Sequence, residues 1–212
     1  MLVDLVTNRR SNPFGMRAPC PTKCSEEVSA VYGYGDVNAD FHIIGDNPNR
    51  HGGKRTGIPF TDSIWGEAVQ SILLATGFMK DEPSQRPTLR NCYMSYLYMC
   101  CPAETAPTAS EYDRLERFFD AELRAINAHI LFPVGERVTR RIVRSYTTQA
   151  EKLPTAMVDL HATEIRGRGV LVVPILDPRN LDSDTRTEIV ELITDIKQSD
   201  YRQTKGVATY VG

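Results

Sequence analysis

Apolar residues along the 212-residue chain come in short runs, separated by stretches with helical spacing. Residues 40–45 set Phe41, Ile43 and Ile44 ahead of Gly45 and read as a buried strand. Residues 92–98, rich in Tyr and Met, read as a second strand that Cys100, Cys101 and Pro102 end. Residues 130–134 predict a third strand and the apolar run 170–176 a fourth. Trp65, Val69, Ile72 and Leu73 recur at helical spacing over about 63–76, with Trp65 in the core and Gly77 as the stop. Thr108 and Glu111 form a capping box opening a helix to about residue 129, with Tyr112, Leu115, Phe119 and Ile126 on its inner face. Val138, Ile142 and Val143 mark a helix after Gly135-Glu136, and Ser183 or Asp184 caps a last helix to about 198.

Apolar strands alternating with helices predict an α/β fold, a three-layer αβα sandwich with a central four-stranded parallel sheet. The expected organisation is an arm over 1–30 packed on the domain, one domain over 31–198, and a polar, loosely held tail over 199–212. In such sheets ligands bind beyond the carboxyl ends of the strands. That directs attention to residues 45–60, 99–102, 135–137 and 177–180.

A composition of 41% hydrophobic and 25% charged residues excludes a disordered or fibrous chain. No run of eighteen apolar residues exists, so no membrane span is expected. The first ten residues lack the apolar core of a secretory signal. The cysteines are Cys20, Cys24, Cys92, Cys100 and Cys101. An odd number without a signal predicts a reducing, cytoplasmic setting, with free thiols or a metal site favoured over a disulfide framework. The net charge of −2 argues against coating nucleic acid by bulk charge and leaves room for a local basic patch. Nothing signals an obligate oligomer, so a monomer is expected.

The loop 45–61 carries four glycines, the basic candidates Arg50, His51, Lys54 and Arg55, and one aromatic, Phe60. Its amides and cations suit a phosphate, Asp46 or Asn47 suits a water, and Phe60 suits a planar base. A solvated turn-rich loop is the other reading of the same composition. Arg137, Arg140, Arg141 and Arg144 form either a phosphate-facing or a solvated helix face.

The loop resembles the first motif of the uracil-DNA glycosylase superfamily. Gly45-Asp46-Asn47-Pro48 is similar to its G-Q-D-P, G-I-N-P and G-E-A-P variants. The stretch from His51 through Gly57 to Phe60-Thr61 resembles the H-G-x-N-R-T-G-x-x-F-T run of family-five enzymes. The segment from Tyr32 to Asp36 resembles the G-E-G lead-in of family four. The segment from Tyr93 to Pro102 sits at the families' Y-I-T-N-x-x-K-C-R-P, Pro133-Val134-Gly135 at A-L-G, and Pro174 to Pro178 at the second motif, Y-H-P-S or Y-H-P-A.

The resemblance implies an enzyme that flips a base from DNA and hydrolyses its N-glycosidic bond. It implies Asp46 and Asn47 as water-positioning candidates, with Gly45 and Pro48 shaping the turn and Phe60 stacking the base. It implies Arg50, His51, Lys54, Arg55 and Arg179 near phosphates or the flipped nucleotide. Two departures alter the expected base choice. Tyr96 replaces the base-reading Asn, and Asp177 replaces the second-motif His. An ionised Asp177 would repel a developing anion. His51 is either a substitute electrophile or a solvent-exposed loop residue. A catalytically inactive DNA-binding member is the alternative. Family four also holds a 4Fe-4S cluster on four cysteines. Here Cys20 and Cys100 fall near two of the positions, while Arg17 and Leu115 occupy the others. Cys24 and Cys101 complete a four-thiolate set, or the cluster is lost and these are small buried thiols.

Overall fold

Side chains alternate across strand β2 (Phe41–Gly45), and the alternation sorts the core into two layers. Phe41 and Ile43 point to one face, against Val69, Ile72 and Leu73 of α2 (Ile64–Ala75) and Ile189, Ile193 and Ile196 of α6 (Ser183–Gln198). Ile44 points to the other, against Phe119 and Leu123 of α3 (Ala109–Ile126) and Val138, Ile142 and Val143 of α4 (Glu136–Tyr146). The computed structural model describes residues 12, 14–104 and 106–201.

β2 pairs in parallel with β3 (Cys92–Tyr96) and β4 (Ile130–Pro133), and β4 with β6 (Leu171–Val172). The sandwich is therefore present, but its sheet has six strands and is mixed. Two-residue edges, β1 (Tyr34–Gly35) and β5 (Ile165–Arg166), add antiparallel to β3 and β6, giving the order β1-β3-β2-β4-β6-β5. Two-residue segments carry no readable periodicity, so the edges escape a pattern reading. The fourth predicted strand shrinks to Leu171–Val172, with one bridge further along between Val134 and Ile175.

The helices follow their sequence signals. Thr108 and Glu111 form the capping box of α3, and Asn127 ends it in a left-handed conformation at φ 51°. Ser63 caps α2 by accepting from Trp65 N. Trp65 itself is half-buried rather than core, because its position falls on the flank of the inward face. Short helix α1 (Pro48–His51) lies in the segment read as a loop, and short helix α5 (Met157–Leu160) and a 3-10 turn (Pro178–Asn180) lie where the pattern assigns no element.

Met16, Ala18 and Cys20 pack against a small cluster of Ala30, Tyr32, Tyr98, Met99 and Leu115. Residues 1–11 and 13 of the expected arm lie outside the described residues. Tyr201, expected in a loose tail, packs its ring 4.9 Å from Phe41 and donates to Asp40 at 3.0 Å. The rest of that tail, 202–212, lies outside the described residues. Among the described residues no helix is long and apolar enough to cross a membrane.

One polar network is buried between the sheet and α3. Glu122 accepts from Gly33 N at 3.1 Å and from the Tyr93 hydroxyl at 3.3 Å, and His42 Nε2 meets Ser95 Oγ at 2.8 Å. Burial pushes Glu122 up to about 7 and His42 down to about 3.

Candidate active site

The end of β2 delivers the first-motif residues to one point, and each then takes a different task. Gly45 closes the strand, its carbonyl accepting from Leu97 N at 2.8 Å. The Asp46 carbonyl accepts from Tyr98 N at 2.9 Å, so the extension of β3 fixes this turn. Asn47 turns its side chain back as the cap of α1, Oδ1 accepting from Arg50 N at 3.1 Å, with Pro48 at the first helical turn. Its amide oxygen is committed to the helix. Of the two water-positioning candidates, Asp46 is the one that faces open space.

That space is a cleft of about 550 Å³. Asp46, Arg50, Gly135, Glu136, Arg137, Arg140, Arg141 and Arg144 supply its polar and backbone lining, with Val134 and Val138 beneath. The Asp46 carboxylate is held from two sides. The Tyr112 hydroxyl of α3 donates to Oδ1 in a short hydrogen bond, and Arg137 Nε lies 3.9 Å from Oδ2. The same guanidinium sits over the Tyr112 ring, 4.7 Å from its centroid. Burial, then the negative charge of Asp46, pushes the Tyr112 hydroxyl well above its ordinary pKa, so it keeps its proton and donates. Tyr112 and Arg137 are site residues that sequence reading missed in this role. An inner-face position of α3 and an arginine of α4 carry no motif that ties them to Asp46.

Asp177 is buried behind the cleft residue Arg50 and is not a bare charge. Arg50 Nε donates to Oδ2 at 2.5 Å, and Arg179 Nε to Oδ1 at 2.7 Å. Burial alone would raise its carboxyl, but His51, Arg179 and Arg50 outweigh it and hold it well below the usual carboxylate range. The expected repulsion of an anion is thereby offset by two guanidiniums. His161 fixes this segment. Its Nδ1 accepts from Leu176 N at 3.0 Å, while Nε2 donates to the Thr185 carbonyl of α6 at 2.8 Å.

His51 is fully buried, not a solvated loop residue. α1 turns its ring inward, where Nδ1 accepts from Asp46 N at 3.1 Å. The neutral ring therefore carries its proton on Nε2, which faces Asp177 Oδ2 at 3.6 Å. Burial keeps the ring below its ordinary pKa, against the opposing pull of Asp177 and Asp46.

Phe60 and Tyr96 form a closed cluster with His51 on the other side of Gly45. Phe60 has 0% and Tyr96 1% of its surface exposed. Their rings meet edge to face at 5.2 Å, and Phe60 lies against His51 at 5.4 Å. The Tyr96 hydroxyl accepts from Phe60 N at 2.7 Å and donates to the Gly52 carbonyl at 3.1 Å. Neither ring lines the arginine cleft. Lys54 and Arg55 are exposed and point elsewhere, Lys54 Nζ donating to Asn49 at 3.0 Å and Arg55 pairing with Asp62 at 3.7 Å.

The cysteines depart from expectation. Cys20 bonds to Cys100 and Cys24 to Cys101, the Cα atoms 5.3 and 5.1 Å apart. The arm runs past the end of β3 so that each of its cysteines faces one of the adjacent pair. The four sulfurs of the expected thiolate set thus gather in one place, each paired with another sulfur. Among the described residues no group of three or more His, Cys, Asp or Glu is placed to hold a metal ion. Cys92 is a free, buried thiol.

Comparison with known proteins agrees with this architecture. A model of the Uracil DNA glycosylase superfamily matches residues 32–197. The chain is 26% identical over 169 residues to the Type-5 uracil-DNA glycosylase of Pyrobaculum aerophilum, covering 77% of this chain and 71% of that protein. It is 31% identical over 97 residues to the Type-5 uracil-DNA glycosylase of Thermus thermophilus, 44% of either chain. With the family match spanning most of the chain and the first-motif turn sitting at the carboxyl end of a central parallel strand, this protein belongs to the uracil-DNA glycosylase superfamily.

Proposed function

We propose that this chain is a DNA base-excision repair glycosylase that hydrolyses the N-glycosidic bond of a flipped-out uracil or other deaminated base. Its base choice is altered by Tyr96 and Asp177. The observation that carries this reading is the Asp46 carboxylate, held by Tyr112 and Arg137 at the floor of an arginine-lined cleft. As the bond to the base lengthens, positive charge grows on the sugar and negative charge on the base. Asp46 supports the first and takes a proton from the attacking water, which delivers its oxygen to the sugar. Arg50, oriented by Asp177, faces the second. The base leaves as an anion or takes a proton from solvent. The names of the two relatives support uracil as the first base to try.

A second reading, a member that binds DNA without cleaving it, is favoured by the sealed contact of Phe60 with Tyr96. The test is release of abasic sites from single- and double-stranded oligonucleotides carrying uracil, hypoxanthine, xanthine or a plain base. Wild type and Asp46→Asn are compared, with alkaline cleavage as the readout. Release by wild type that Asp46→Asn abolishes supports the enzyme. Binding without release of any base supports the second reading.

A further inference from the structure

The arginines of α4 form one face of a helix whose other face is core. Val138, Thr139, Ile142 and Val143 are buried, while residues 137, 141 and 144 follow the four-then-three spacing that aligns side chains along one side. Two clefts meet on that side. The first is the cleft at Asp46. The second, of about 390 Å³, is lined by Leu97, Tyr112, Asp113, Glu116 and Ser145, and shares Arg137, Arg141 and Arg144 with it. Five guanidiniums line the first cleft against two carboxylates, although the whole chain carries a net charge of −2.

The arginines are not equivalent. Arg140 is bound to Glu136 at 2.8 Å and to the Thr155 carbonyl at 2.7 Å. Arg141 is bound to Glu116 at 2.6 Å and Asp120 at 3.0 Å. These pairs fix the wall. Arg137 leans over Tyr112 with about half its side chain in solvent. Arg144 is exposed and makes no ion pair among the described residues. From residue 137 to 144 the helix rises about 10 Å. One strand of a duplex carries about three phosphates over that length, at one per 3.4 Å.

We propose that the α4 face is a binding track for the phosphodiester backbone of a nucleic-acid strand, with Arg144 as its free phosphate contact and Arg137 joining the track to Asp46. The proposal rests on the reading that the ligand of the cleft is DNA, and it adds the path that the strand takes.

The experiment is fluorescence anisotropy of a labelled single-stranded oligonucleotide over a salt series, with wild type, Arg144→Ala and Arg168→Ala. Arg168 is the control. It lines a cleft of about 270 Å³ at the opposite, amino end of the strands, together with Arg124. Arg144→Ala is expected to weaken binding about tenfold at low salt and to reduce the slope of log K against log salt by about 0.7. Arg168→Ala is expected to stay within about twofold of wild type. The track is overturned if Arg144→Ala also stays within twofold, or if both variants lose affinity equally. Displacement of the strand by millimolar inorganic phosphate would reduce the track to a free-anion site and overturn it too. Abasic product is scored on the same oligonucleotides. Loss of binding in Arg144→Ala with no base released by any protein sinks cleavage and keeps the track. Base release with unchanged binding does the reverse. A wild type that binds no strand at any salt overturns both.

Discussion

Gly45 and Asp46 are neighbours in the chain, yet they meet opposite surroundings. Asp46 opens onto the arginine cleft, where charge is abundant and water has access. Gly45 is closed in by rings. A Cβ added there would meet Phe60 Cζ and Tyr96 Cε1 at 2.7 Å and His51 Nδ1 at 2.8 Å. One side of the turn is built for a charged, solvated ligand, and the other has been filled by the chain's own aromatics. On the proposed function, the contrast limits where a base could be selected. A planar ligand must either displace the seal or be read from the cleft side, by Arg50, Asp46 and the groups behind them.

The comparison breaks most visibly on the open side. Asp46→Asn keeps the size of the side chain and removes its charge. It should lower base release by about 10²–10⁴-fold, the range of a lost general base. Thermal stability should hardly change, and measurement of both in one preparation separates chemistry from folding. An active Asp46→Asn would move the chemistry elsewhere.

On the sealed side the effects fall on stability. Gly45→Ala forces three buried rings to move and should cost about 3 kcal/mol by denaturant titration. Gly135→Ala offers a contrast. Its Cβ would find only Asp177, at 3.6 Å and beyond, so the cost there is backbone strain alone, about 1–3 kcal/mol for φ 84° with ψ 166°, a conformation that glycine adopts and other residues resist. A Gly45→Ala variant as stable as wild type would mean that the seal yields easily.

Tyr96→Phe sharpens the point by removing one oxygen. It leaves Phe60 N–H and the Gly52 carbonyl without their partner in a buried place, which should cost about 2 kcal/mol. A variant as stable as wild type would show that ring packing alone holds the seal.

A further effect, read only as a difference between two pH values, is a pH dependence of the buried network behind the sheet. Glu122 titrates near 7 when folded against 4.5 for the free carboxyl. Between those values the folded state keeps a proton that the unfolded state has lost, so this group lowers stability as pH rises from about 4.5 to 7. Glu122→Gln removes that loss. Its melting temperature relative to wild type should rise by about 2 °C or more between pH 5 and pH 7.5. An offset that is equal at the two pH values would place the titration on another group. His42, held down at about 3, pulls the other way below pH 6.5 and is the same in both proteins.

Much of the fold could be read from the chain because its signals are local. The runs at Phe41–Gly45 and Ile130–Pro133, the capping box at Thr108 and Glu111, and the Asn or Gly stops act over a few residues. The first-motif turn was legible for the same reason, since Gly45 to Pro48 follow one another in sequence. The edge strands were not, because two residues have no period. Nor were the partners of the site. Tyr112 reaches Asp46 across 66 positions and Arg50 reaches Asp177 across 127. His51 could be assigned to a loop but not to the interior, because α1, only four residues long, turns it inward.

Local pattern along the chain sets the αβα class, the strand whose end carries the first motif, and the residue types present there. Packing settles what each of those residues touches. It spent Asn47 on a helix cap, gave Asp46 to the cleft, clamped Asp177 between two arginines, and closed Phe60 and Tyr96 against each other. It also brought the four cysteines together as two cystines. The physical reason is range. Propensity, capping and alternation act within a turn or a strand, whereas burial, charge pairing and hydrogen-bond satisfaction depend on what the rest of the chain packs alongside.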